Sequence, residues 1–81
     1  MPPVPHYFFH LHNDVFVADE EGKSLPDLEA ARLNAVREAR EMMLDTIIEG
    51  RINFSHWIDI ADESGAVVAT VTFSEAVTVE G

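Results

Sequence analysis

The chain has 81 residues, with fifteen Asp plus Glu against five Lys plus Arg, a formal charge of −10, 47% hydrophobic residues and no cysteine. This composition fits one small globular domain and excludes a disulfide framework, a thiolate metal site and thiol redox chemistry. A chain this short buries only about 60–65% of the surface its unfolded form exposes, so the core is thin and association with itself or a partner would stabilise it.

The start, Met1-Pro2-Pro3-Val4-Pro5, holds no Lys or Arg and precedes no apolar h-region. It therefore reads as a Pro-rich tail over residues 1–5 that enters no sheet interior, and not as a secretory signal. No apolar run reaches the roughly 20 residues of a membrane-spanning helix, so a soluble cytoplasmic protein without a membrane partner is expected. A field of this sign repels phosphate backbones, so direct nucleic-acid binding is not expected either.

Structure should start at His6, where His6-Tyr7-Phe8-Phe9-His10-Leu11 and Val15-Phe16-Val17-Ala18 flank the polar His12-Asn13-Asp14, as two strands of a hairpin do. Asp19-Glu20-Glu21-Gly22 then supplies a turn. Asp27, preceded by Pro26, caps a helical pattern that has no Pro or Gly from Leu28 to Glu49 and stops at Gly50, which predicts about 33 Å of helix. After it, Phe54 to Ala61 alternates, with Ile58 and Ile60 on one side and Trp57 and Asp59 on the other. Asp62-Glu63-Ser64-Gly65 turns the chain into a last strand, whose residues Val67, Ala69, Val71 and Phe73 share a face. The two Asp-Glu-x-Gly turns lack the ligand spacing of an EF-hand and are read as structural turns. The expected fold is α+β, a single domain over residues 6–79 in the order ββαββ. An antiparallel sheet of four strands has one long helix packed on one face.

On the helix, Leu28, Ala31, Ala35, Ala39, Met42, Met43 and Ile47 form the arc expected to lie on the sheet, with the alanines allowing close approach. Arg32 falls in or beside this arc, so it must reach outward to water or meet a carboxylate, and a structural ion pair to Glu29 or an acidic turn is the favoured expectation. A second stripe, Leu33, Arg37, Arg40, Leu44 and Ile48, lies roughly opposite and is a candidate partner-binding face.

For chemistry, His6, His10 and His12 share a strand face, and His10 with His12 and Asp14 is a candidate metal or small-ligand site. His56 stands apart. None of Ser24, Ser55, Ser64 and Ser74 lies in a G-x-S-x-G elbow, and the dispersed glycines form no phosphate loop. No catalytic activity and no cofactor are expected. The single Trp57 is read as covering the edge of the core rather than as a recognition aromatic.

The elements Tyr7-Phe8-Phe9-His10-Leu11, Asp19-Glu20-Glu21-Gly22, Leu25-Pro26-Asp27-Leu28-Glu29-Ala30-Ala31-Arg32, Ala39-Arg40, Trp57, Asp62-Glu63-x-Gly65 and Phe73 span nearly the whole chain. In them the chain resembles a family of small bacterial proteins built on a domain of unknown function. The chain departs from that family at its Pro-rich start, where a basic residue often precedes the aromatic strand. The resemblance implies a single domain and carries no catalytic residues with it. More loosely, a hairpin followed by a Leu-Glu-Ala-Ala helix is similar to the partial ribonuclease-H-like antitoxins that neutralise a toxin by binding it. The leading expectation is a non-enzymatic acidic interaction module. It would be a homodimer or would bind another protein, through its acidic surface, the outer stripe or a free sheet edge. The rivals are a metal or small-ligand module, a minor hydrolase and an antitoxin-like toxin binder.

Overall fold

The computed structural model describes residues 4–80, so the first three residues of the expected tail lie outside the described residues. Its elements are β1 (His6–His12), β2 (Phe16–Val17), β3 (Lys23–Ser24), α1 (Leu28–Ile48), β4 (Trp57–Ala61) and β5 (Val67–Thr72). The fold is α+β with an antiparallel sheet in the order β2-β1-β4-β5, and β3 pairs with β1 as a fifth strand. Four strands were expected; the second shortens to β2, and the fifth, β3, forms beyond the Asp19–Gly22 turn where no strand was expected. β2 pairs at Leu11 and His12, whereas β3 pairs at His6 and Tyr7.

Asp19 occupies the gap between those pieces. Its Oδ2 accepts from the Phe9 amide at 3.1 Å, its Oδ1 accepts from the amides of Glu21 and Gly22 at 3.1 Å each, and its own amide donates to His10 Nδ1 at 3.0 Å. A side chain thus completes the ladder where no strand residue reaches. The Asp62 turn uses the same device, with Oδ1 accepting from Ser64 N at 2.9 Å and Ala66 N at 3.1 Å. In both turns the first carboxylate serves the backbone, as the structural reading of these segments requires.

Gly22 lies at φ +65°, and a Cβ there would stand 2.5 Å from the Tyr7 carbonyl oxygen and 2.7 Å from His6 Nε2. Gly50 has φ +83° with nothing within 4 Å of such a Cβ. Gly50→Ala is therefore expected to cost only the left-handed strain of about 1–2 kcal/mol, and Gly22→Ala clearly more. Paired thermal melts check this, and equal losses would mean that the close approach to β1 gives way freely.

The Asp27 carboxylate accepts from Ala30 N at 2.8 Å and starts α1, and Gly50 donates to the Ile47 carbonyl at 2.8 Å beyond its end. Ala31, Ala35 and Ala39 are fully buried, so the helix lies close on the sheet, and Met43 fills the wider space beyond them. With Tyr7, Phe9, Ile58, Ile60, Val71, Phe73 and Ala76 they make the core. The expected helix arc overreaches at both ends, since Leu28 and Ile47 project past the sheet and are exposed, and it omits the buried Asn34. In β5, Ala61 pairs with Val67 while Ile60 pairs with Ala69, so Val68 is bulged and Val67 leaves the face it was expected to share with Ala69 and Val71. The chain leaves β5 through a turn in which Glu75 Oε1 accepts from the Thr72 amide at 2.9 Å.

Candidate functional site

Because α1 covers one face of the sheet, strand alternation leaves His6, Phe8, His10 and His12 of β1 on the open face, with Trp57 and Asp59 of β4 and Thr70 and Thr72 of β5. Phe16 of β2 joins them. Their rings form one connected row. His6 meets Phe8 edge-on at 5.1 Å, Phe8 stacks over His10 at 6.4 Å, and Phe16 lies 5.8 Å from His10 and 4.7 Å from His12. His12 then stacks on Trp57 at 4.6 Å with 9° between the planes. Trp57 is 37% exposed on this face and does not border the core, because Ile58 and Ile60 take the inward positions.

Each of the three histidines in this row is already committed. His6 Nε2 donates to the Glu21 carbonyl at 2.7 Å, His10 Nδ1 accepts from Asp19, and His12 Nε2 lies 2.7 Å from Asp59 Oδ2, whose Oδ1 accepts from the Thr70 hydroxyl at 2.8 Å. His10 and His12 are thus brought to one face without a third ligand. Among the described residues no group of three His, Asp or Glu is placed to hold a metal ion.

Arg32 is exposed and, among the described residues, has no carboxylate within 4 Å, which corrects its expected ion pair. The tie between helix and hairpin is Lys23, whose Nζ donates to Asn34 Oδ1 at 3.1 Å and stands 3.9 Å from Glu38 Oε1. β3 aims Lys23 at the flank of the helix, whereas Arg32 sits at the margin of the buried arc and points to water. Partial burial pushes the Glu38 carboxyl up; the Lys23 ammonium opposes this while Asp19 and Glu41 add to it.

The outer helix stripe is present, with Leu33, Leu44 and Ile48 exposed to 62%, 58% and 78% beside an exposed Arg37. Arg40 departs from it, because its Nε donates to the Ala76 carbonyl at 2.6 Å and holds the C-terminal turn on the helix. Arg40 is therefore engaged in the fold, and the stripe is divided.

A cleft of about 740 Å³ opens on the helix side, between the second half of α1, the β1–β2 turn and the connection from Gly50 to His56. Leu11, Met42, Met43, Ile52 and Phe73 line it with apolar surface, and Asn13, Asp14, Asp45 and His56 bring polar groups to it. The His56 ring rests edge-on against Phe73 at 5.5 Å, and its Nε2 is buried with no hydrogen-bond partner. Sequence reasoning set His56 aside, and no local signal marks it; only the return of β4 beneath the helix brings it to Asp14.

The family model described as Domain of unknown function (DUF6894) matches residues 6–74. The chain belongs to that family. No curated protein and no solved structure matches it. The DUF6894 span takes in all five strands, the helix and both acidic turns, and so includes the ring row and the cleft lining. Within it no helix among the described residues is long and apolar enough to cross a membrane.

Proposed function

We propose that this DUF6894 protein is a non-enzymatic interaction module that self-associates through the open face of its sheet, two copies meeting face to face. The observation that carries this reading is the charge distribution. Of fifteen acidic residues in a chain of net charge −10, the open strand face bears one, Asp59, and that one is bonded to His12 and Thr70. Two such chains repel wherever their acidic turns approach, and this face is where they meet with least repulsion. It is also aromatic and poor in charge, the composition that marks the centre of protein interfaces.

Light scattering behind a size-exclusion column tests the proposal. The unaltered chain is expected to run as a dimer, Phe16→Lys as a monomer, and Leu44→Lys, on the outer helix stripe, still as a dimer. Phe16 is exposed, so the charge enters without disturbing the core. A monomer at all concentrations, or a dimer lost with Leu44→Lys and kept with Phe16→Lys, would overturn it.

A further inference from the structure

Toward one end of the ring row, two interactions converge on His12. Its Nε2 lies 2.7 Å from Asp59 Oδ2, and Asp59 Oδ1 accepts from the Thr70 hydroxyl at 2.8 Å, so Thr70 fixes the carboxylate toward the ring. The ring also stacks on Trp57 at 4.6 Å with 9° between the planes, the placement in which an indole face attracts a cation. Carboxylate and indole favour the same form of His12, the imidazolium. The other two imidazoles are placed differently. His10 Nδ1 accepts from the Asp19 amide, so a proton added there displaces that bond, and His6 Nε2 is taken by the Glu21 carbonyl. Among the described residues, Asp59 is the one carboxylate within 4 Å of the His12 ring nitrogens. Around it, β2 brings Phe16 and β5 brings Thr70 and Thr72, none of them charged. Glu75 is bonded to the Thr72 amide at the outer edge, and Asp14 of the β1–β2 turn lies toward His56, 3.8 Å from its Nε2.

We infer that His12 is a proton switch for self-association: the face-to-face dimer forms with His12 protonated and loses affinity as that proton leaves. The inference rests on the open sheet face being the dimer contact. With His12 neutral, this face carries the net charge of Asp59, which is costly to bury against a second copy. With the proton in place, Asp59 and His12 make a neutral pair. Exclusion of water by the second copy then strengthens both the ion pair and the stack on Trp57. Association therefore takes up one proton per copy, and by linkage a falling pH drives it through the range of about pH 8 to 5 in which imidazoles titrate. The carboxylates of the acidic turns stay ionised there and take no part in the response.

Analytical ultracentrifugation of the intact chain at about pH 8, 7 and 6 tests the switch, in about 0.3 M sodium chloride to screen the acidic turns. The dimer dissociation constant is expected to fall about tenfold or more from pH 8 to pH 6, with two protons per dimer limiting the change to about a hundredfold per pH unit. Asp59→Asn removes the charge that the proton neutralises. It is expected to dimerise more tightly than the parent at pH 8 and to change by no more than about twofold across the range. His12→Gln keeps the carboxylate without a cation, and is expected to stay at the weaker affinity that the parent shows at pH 8. A constant that is unchanged or rises toward pH 6, or an Asp59→Asn variant that follows pH as the parent does, would overturn the switch and leave the dimer standing. A chain that is monomeric at every pH would overturn the dimer itself, and the switch with it.

Discussion

Ile60→Ala is expected to lower the unfolding free energy by about 2–5 kcal/mol, the range for removing a large buried aliphatic side chain and leaving a cavity. Ile60 is fully buried, pairs with Phe9 on one side and Ala69 on the other, and faces a helix whose own contribution there is small alanines. Alanines have no side chain that can swing into the void, so the hole persists. A domain of this size has about 4–12 kcal/mol in all, so the loss is a large share of its stability. Urea unfolding followed by circular dichroism measures it. Leu33→Ala, on the exposed side of the helix, should stay within about 0.5 kcal/mol of the parent, and a comparable loss there would mean that the outer stripe is packed in solution.

Asp19→Ala is the second large effect, about 1–3 kcal/mol, because the Phe9 amide loses its acceptor at a place where no strand can replace it. The same carboxylate links stability to pH. Partial burial raises its pKa, but the amides of Gly22, Phe9 and Glu21 outweigh this, and with the nearby His10 ring hold it below the ordinary aspartate value. A carboxyl with a lowered pKa in the fold stabilises it above the unfolded value of about 4 and ceases to do so as pH falls through the folded value. Acid should therefore weaken the parent as the pH drops below about 4, and Asp19→Ala, already deprived of that contribution, should show a flatter acid limb. Glu38 acts in the opposite sense, since its raised pKa makes protonation favourable in the fold, and part of the slope is offset. Melting midpoints of both proteins measured from neutral to acid pH check the difference, and parallel curves would remove Asp19 from the account.

Much of this fold was legible before any coordinates. The aromatic run gives β1, Asp27 and Gly50 bound the helix to within a residue, and the Ile58–Ile60 alternation gives the inward face of β4. These signals are local, and each is enforced by backbone chemistry within a few residues. What escaped depends on side chains that reach across the sequence. The strand expected at Val15–Ala18 shortens to two residues because Asp19 takes over the pairing with Phe9, and β3 forms only because Gly22 can lie against Tyr7. Lys23, rather than Arg32, ties the helix to the hairpin because its direction is set by its pairing with Tyr7. His56 carries no mark of its own, as its neighbour Asp14 is remote in sequence.

The outer strand β5 bears on how the sheet margin meets an incoming strand. Val67 to Thr72 is a short segment of β-formers without a single charge, the composition of segments that template fibrils when they lie straight at a sheet margin. Here the margin is broken at both ends. The bulge at Val68 skews the strand where it begins, and Glu75 folds back to occupy the Thr72 amide where it ends. Between them only the stretch around Thr70 remains for an incoming strand, too little to propagate pairing. A small acidic domain thus keeps an uncharged border whose two ends are closed to an incoming strand.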